Sequence, residues 1–153
     1  MLDDRDHTLL TLLQEDADRP IADLAARVAL SPSACSRRIQ RLEAEGHIAR
    51  RVVLLDRARM NLPTTIFVLV KTSRHSPGWM EEFRSALATV PEIVEVHRLT
   101  GNVDYILKVV LPNVEYYDTV YKRLVSRVEL FEMSAYISME TLKAGTALPT
   151  RFA

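Results

Sequence analysis

Residues 24–48 read LAARVALSPSACSRRIQRLEAEGHI, and the punctuation of this stretch sets the architecture of the first part of the chain. Ser31 is a helix-capping residue, Pro32 suits the first helical position, and Gly46 suits the residue just past a helix end, which predicts a helix between them. Upstream, Ile21, Leu24, Ala25 and Val28 form an apolar stripe that starts after Pro20. Only the tripeptide ALS separates Val28 from Pro32, so the two helices are joined by the tight connection of a helix-turn-helix. An earlier stripe of Leu9, Leu10, Leu13 and Ala17 adds a first helix.

At 100° per residue the helix after Ser31 turns Cys35, Ile39 and Leu42 to one side. Ser33, Arg37, Gln40, Arg41 and Ala44 project from the other, so the exposed face carries small hydroxyls first and then guanidinium and amide groups. Such a helix fits the major groove of double-stranded DNA, where arginine pairs with guanine and glutamine with adenine through two hydrogen bonds each. Arg37 and Gln40 are the candidates for base contact. Ser33, Ser36, Arg38 and Arg41 are candidates for mixed base and backbone contacts, and Arg50 and Arg51 for phosphate. The competing assignment is a solvated helix face, with Arg41 paired to Glu45 one turn on. Cys35, on the apolar stripe with no histidine at a motif spacing, reads as core.

The decision between these readings is local, because the whole chain of 153 residues balances 20 Lys and Arg against 20 Asp and Glu. Residues 1–60 carry ten of each sign, but residues 37–51 hold five arginines against Glu43 and Glu45. That basic patch, within a capped helix-turn-helix, favours DNA over a solvated face. After Gly46, HIARRVVLLD has the β-branched character of a strand or small hairpin that would form a wing, and Asp56 can cap a turn through RARM. Apolar residues make up 48% of the chain and there is one cysteine, which excludes a long disordered chain and a disulfide scaffold. No apolar run is long enough to span a bilayer and the start, MLDDRD, is acidic, so a cytoplasmic protein with no membrane partner is expected.

From Thr64 the pattern changes to strand, helix, strand, twice over. TTIFVLVKT alternates two apolar faces; SPGWMEEFRSALATV has Ser76 and Pro77 at its start and Trp79, Phe83, Leu87 and Val90 at helical spacing; IVEVHRL follows as a strand. VDYILKVVL, the helix NVEYYDTVYKRLVS and an extended segment from Val128 to about Met139 complete the second unit. The expected fold class is α+β: a winged helix-turn-helix domain over residues 1–60, then a ferredoxin-like βαββαβ domain over 61–153. Such a sheet has helices on one face only. The other face, formed by the set Ile66, Val68 and Val70 or by the set Phe67 and Leu69, is expected to pair with a second copy. Trp79 and Phe83 read as helix-to-sheet core. His7, His47, His75 and His97 show no metal-ligand spacing, and neither a metal nor a cofactor is expected.

Taken together, LDDRDHTLLTLLQEDAD, LAARVALSPSACSRRIQRLEAEGHI and LTGNVDYILKVV make the chain resemble the Lrp/AsnC family of transcriptional regulators over essentially its whole length. The resemblance implies homodimers that read DNA through paired third helices and assemble into tetramers or octamers, with a free amino acid bound where dimers meet. It places Gly101, Asn102, Val103, Asp104 and Tyr105 in the effector loop, with Gly101 making the turn and Asp104 contacting an amino group. The alternative for Asp104 is a carboxylate that builds a hairpin turn. Two rival functions share parts of this pattern. One is a nucleoid-structuring protein with little base preference, and the other is a haem-pathway decarboxylase of the same two-domain architecture, for which no nucleophile and base stand in a motif.

Overall fold

The computed structural model describes residues 1–73 and 75–152. The chain divides into two compact units, Met1–Leu54 with Lys143–Ala153, and Leu55–Leu142. The first unit is therefore discontinuous, unlike the expected division into 1–60 and 61–153. Residues after the last strand return to the helical unit, a long-range closure that no local signal announces.

In the first unit, α1 (Asp4–Glu15), α2 (Ile21–Arg27) and α3 (Pro32–Ala44) surround a core of Leu9, Leu12, Leu24, Ala25, Val28, Cys35 and Ile39. The buried stripe of α1 is Leu9 with Leu12, whereas Leu10 and Leu13 of the expected stripe are half-buried on its flank. Ile21, also expected inside, is exposed. Cys35 is fully buried, and burial pushes its thiol up. Residues 47–56 carry no strand, although β-branched side chains favour one there. A strand needs a ladder partner, and this unit offers none. Val52, Val53, Leu54 and Leu55 are exposed as a result. The turn after Asp56 forms as expected, its carboxylate accepting from the amides of Ala58 and Arg59 at 2.9 and 3.1 Å.

The second unit runs β1 (Thr64–Lys71), α4 (Pro77–Ala88), β2 (Ile93–Arg98), β3 (Tyr105–Leu111), α5 (Tyr117–Val125) and β4 (Glu132–Ile137). The strands form one antiparallel sheet in the order β2-β3-β1-β4, the ferredoxin-like arrangement. Ser76 caps α4 by accepting from the Trp79 amide at 3.3 Å. Ile66, Val68 and Val70 face the helices, packing with Trp79, Phe83, Leu107, Val109, Val120 and Leu124. Trp79 and Phe83 are core, their rings stacked 5.0 Å apart, and the indole N–H donates to the Glu129 carbonyl at 2.8 Å. The period of two then sends Phe67 and Leu69 to the opposite face. Phe67 lies opposite Lys108 on β3 and Tyr136 on β4, and Leu69 opposite Ile106 and Ser134. Tyr136 is 58% exposed on that uncovered face.

Candidate nucleic-acid interface and effector loop

The third helix begins and ends where its capping residues dictate. The Ser31 hydroxyl accepts from the Ala34 amide at 3.2 Å, Pro32 opens the helix, and Gly46 adopts φ +79 beyond its end, where the His47 amide donates to the Leu42 carbonyl at 2.9 Å. Its connection to α2 is tight because Ala29 takes a left-handed conformation, φ +51, and the Leu30 amide donates to the Ala25 carbonyl at 2.9 Å. Sequence patterning gave no sign of Ala29, since glycine or asparagine is the usual marker of such a bend.

With Cys35, Ile39 and Leu42 buried, α3 presents three other faces. On one flank Arg38 donates to Asp3 at 2.6 Å and to Asp6 at 2.9 Å, and Arg41 donates to Asp6 at 2.6 Å. The i,i+4 pair of Arg41 with Glu45 does not form; Asp6, from α1, takes the guanidinium instead. The Asp6 side chain is 1% exposed, and Asp3 and Asp6 also accept each other's backbone amides as a reciprocal N-terminal cap of α1. Burial pushes the Asp6 carboxyl up, but hydrogen bonds from Arg41, the Asp3 amide and Arg38 outweigh it and hold the group at about 2. Sequence reasoning missed this cluster, because partners 32 to 35 residues apart leave no periodic trace.

On the other flank Ser36, Gln40 and Glu43 line a groove of about 480 Å³ together with Leu13, Arg19 and Arg51. Arg51 is held there, donating to the Ala17 carbonyl at 2.8 Å and to Glu43 at 3.1 Å. Between the flanks stand Ser33 and Arg37, both exposed. Among the described residues Arg37 and Arg50 have no carboxylate partner. The eight positions singled out in sequence therefore divide: Ser33, Ser36, Arg37 and Gln40 lie on or beside the outer face, Arg38, Arg41 and Arg51 are tied to carboxylates at its edges, and Arg50 follows the helix unpaired.

The loop of residues 101–105 joins β2 to β3. Gly101 has φ +117, a conformation that L side chains rarely adopt, so glycine is required at this turn. Asp104 is built into the backbone: its carboxylate accepts from the Thr72 amide at 2.8 Å, its own amide donates to the Val70 carbonyl at 2.9 Å, and its carbonyl accepts from the Leu99 amide at 2.8 Å. Its second carboxylate oxygen lies 3.8 Å from His75 Nε2. Thr72 and His75 are thus parts of this corner that no motif marked. Tyr105 points into the helix-side core, its ring 4.9 Å from Phe83 and 6.0 Å from Trp79, and its buried hydroxyl has no hydrogen-bond partner. Asn102 is exposed and Val103 half-buried. Among the described residues no cluster of His, Cys, Asp and Glu is placed to hold a metal, and no helix is long and apolar enough to cross a membrane.

A capped helix-turn-helix carried by the same chain as a ferredoxin-like domain is the architecture of a DNA-binding transcriptional regulator. Residues 2–43 match the AsnC-type helix-turn-helix domain, and residues 65–148 match the Lrp/AsnC ligand binding domain. The chain is 59% identical over 152 residues to the HTH-type transcriptional regulator Zrp of Zymomonas mobilis, covering 99% of each. It superposes on the crystal structure of an AsnC family transcriptional regulator from Agrobacterium tumefaciens with a TM-score of 0.94 at 42% identity, over 99% of each chain. A Neisseria meningitidis transcriptional regulator solved as an L-Met complex gives a TM-score of 0.93 at 29% identity, again over 99% of each. The protein belongs to the Lrp/AsnC family of transcriptional regulators. Its fold and family are regulatory, and the decarboxylase reading falls.

Proposed function

We propose that the protein is a sequence-specific regulator that binds double-stranded DNA as a homodimer or a larger assembly of dimers, in the cytoplasm, and responds to a free amino acid. Arg37 and Gln40 read base edges in the major groove, Ser33 and Ser36 contact bases or phosphate at the helix front, and Arg38, Arg41, Arg50 and Arg51 meet phosphate. Pairing to a carboxylate does not remove the last role, because a guanidinium has five N–H donors and Arg38 spends only its Nη1 on Asp3 and Asp6. The observation that carries the reading is Arg37: exposed, unpaired and central on a capped helix whose neighbouring arginines are neutralised. A nucleoid-structuring protein with little base preference would instead lose binding equally on every duplex when Arg37 is removed.

Arg37→Ala should weaken binding to a duplex enriched from a random pool by about 1–3 kcal/mol, with a much smaller loss on random DNA. Binding titrations over a salt series check this. Equal losses on both duplexes would reduce Arg37 to a phosphate contact.

The effector reading assigns Gly101, Asn102, Val103, Asp104 and Tyr105 to the amino-acid site. It is supported by the L-Met complex of the Neisseria relative and by the carboxylate oxygen of Asp104 left beside His75. An ammonium would take that oxygen while the Thr72 amide keeps the other. Asp104→Asn retains an acceptor for Thr72 and removes the charge, so it should weaken amino-acid binding about tenfold, as loss of a charge-assisted hydrogen bond does, and leave effector-free assembly intact. Calorimetry over the twenty amino acids, with sedimentation of both forms, decides it. A variant that binds as well as the parent would leave Asp104 as a turn residue.

A further inference from the structure

The first unit takes in the residues from Lys143 on, and the contact that seats them is specific. Gln14, in the last turn of α1, pairs its side-chain amide with the backbone of Leu148 in both senses. Its Nε2 donates to the Leu148 carbonyl at 3.0 Å, and its Oε1 accepts from the Leu148 amide at 2.6 Å. One turn earlier, the Thr11 hydroxyl donates to the His7 carbonyl at 2.9 Å and stands 3.3 Å from the hydroxyl of Thr150, at the start of a short 3₁₀ turn, Thr150–Phe152. A primary amide that donates to and accepts from one residue imitates the edge of a β-strand, so it recognises an extended backbone whatever the side chain. Beside this contact lies a groove of about 590 Å³, lined by Leu10, Leu13, Ile48, Val52, Leu148 and Pro149.

The segment docks without burying an apolar side chain. Leu148 is 74% exposed and Phe152 90% exposed. A few surface hydrogen bonds hold it, so its docked and released forms lie close in free energy, in the range where a binding event elsewhere can shift the balance. The helical unit is joined to the rest of the chain covalently after Leu54 and again before Lys143. We propose that residues 146–152 are a releasable strap: docked on Gln14 and Thr11 of their own chain, they give the DNA-reading head a second attachment, and their release lets it swing on the first alone. A head held at two points searches a smaller volume. In an assembly with two heads, that raises the effective concentration of the second head at its half-site. The strap should therefore govern binding to paired half-sites while leaving a single half-site unaffected. This effect rests on the assignment of α3 as the DNA-contacting helix.

Two variants of the full chain test it. Thr11→Cys with Thr150→Cys should oxidise to a cross-link within one chain, seen as a fall from three titratable thiols to one in the denatured protein, with monomer mobility on a non-reducing gel, because the parent hydroxyls are 3.3 Å apart. Gln14→Ala should release the strap. With a duplex enriched from a random pool and the same duplex cut to one half-site as probes, the cross-linked form should bind the paired site about three- to tenfold more tightly than its reduced form. Gln14→Ala should bind that site more weakly than the parent by a similar factor, and neither change should appear on the single half-site. Absence of the cross-link overturns the docking, and a cross-link between chains overturns docking on the same chain. Equal changes on both duplexes assign the effect to folding of the head and overturn the strap. If the cross-link forms but the parent binds neither duplex, the assignment of α3 fails and the strap's effect on DNA with it, while docking itself stands.

Discussion

Asp6→Ala should destabilise the helical unit by about 2 kcal/mol and leave the sheet unit folded. A carboxyl held at about 2 instead of its usual 3.8 corresponds to about 2 kcal/mol of stability at neutral pH. That figure already includes the hydrogen bond from the Asp3 amide, the half of the α1 cap that alanine removes. Arg38 and Arg41 would not be left as fully buried unpaired charges, since their side chains are 27% and 41% exposed and can turn to water. For a unit of this size, whose total stability is on the order of 3–10 kcal/mol, the loss is a large fraction. Trp79, the sole tryptophan, and all five tyrosines lie in the sheet unit, which makes the two halves separable by spectroscopy. Far-ultraviolet circular dichroism should show an early loss of helix in the variant while Trp79 fluorescence melts at the parent temperature. Coincident melting of both signals at the parent temperature would show that the cluster contributes nothing.

The same cluster sets an acid limit with a definite sign. Because the folded Asp6 carboxyl titrates below its unfolded value, its contribution is complete above about 3.8 and is lost as pH falls through about 2. Between those values the parent's helical unit should weaken, and Asp6→Ala should be flat by comparison.

How far these features could be read in the sequence depends on the distance over which they act. Ser31, Pro32 and Gly46 act within their own helix, so the position and ends of α3 were legible, as was its buried stripe of Cys35, Ile39 and Leu42. The alternation in TTIFVLVKT fixed that a strand has two apolar faces, but not which one meets the helices; both sets are apolar, and Trp79 and Phe83 decide it by packing on Ile66, Val68 and Val70. The composition of HIARRVVLLD favours a strand, yet pairing is a property of two segments and the helical unit supplies no second one. The partners of Asp6, Gln14 and Asp104 were opaque for a common reason. Each partner lies 30 or more residues away, and such pairs follow no period. The site was therefore legible as a helix face, and the ion pairs that single out Arg37 on it were not.

The uncovered sheet face gives the largest expected effect of a single substitution. Leu69 sits near its centre between Ile106 and Ser134. If two copies pack these faces together, Leu69→Lys places two ammonium groups in the contact, one from each copy, and each must be desolvated. A carboxylate there would be less informative, because Lys71 and Lys108 share the face and would offer it a partner. The nearby acids are already engaged, Glu132 with Lys71 at 3.3 Å and Glu95 with Lys108 at 2.7 Å, so the new lysine finds none free. Dimer dissociation should therefore rise by roughly a thousandfold or more, about 4 kcal/mol, and sedimentation should show monomers at micromolar concentration. Tyr121→Lys, on the exposed surface of α5 and away from the sheet face, is the matched control and should sediment as the parent does. DNA affinity should fall with the dimer, because two linked heads each raise the other's concentration at the site. If Leu69→Lys remains dimeric while Tyr121→Lys dissociates, the copies meet through their helices, and the apolar face of Phe67, Leu69 and Ile106 must be covered in some other way.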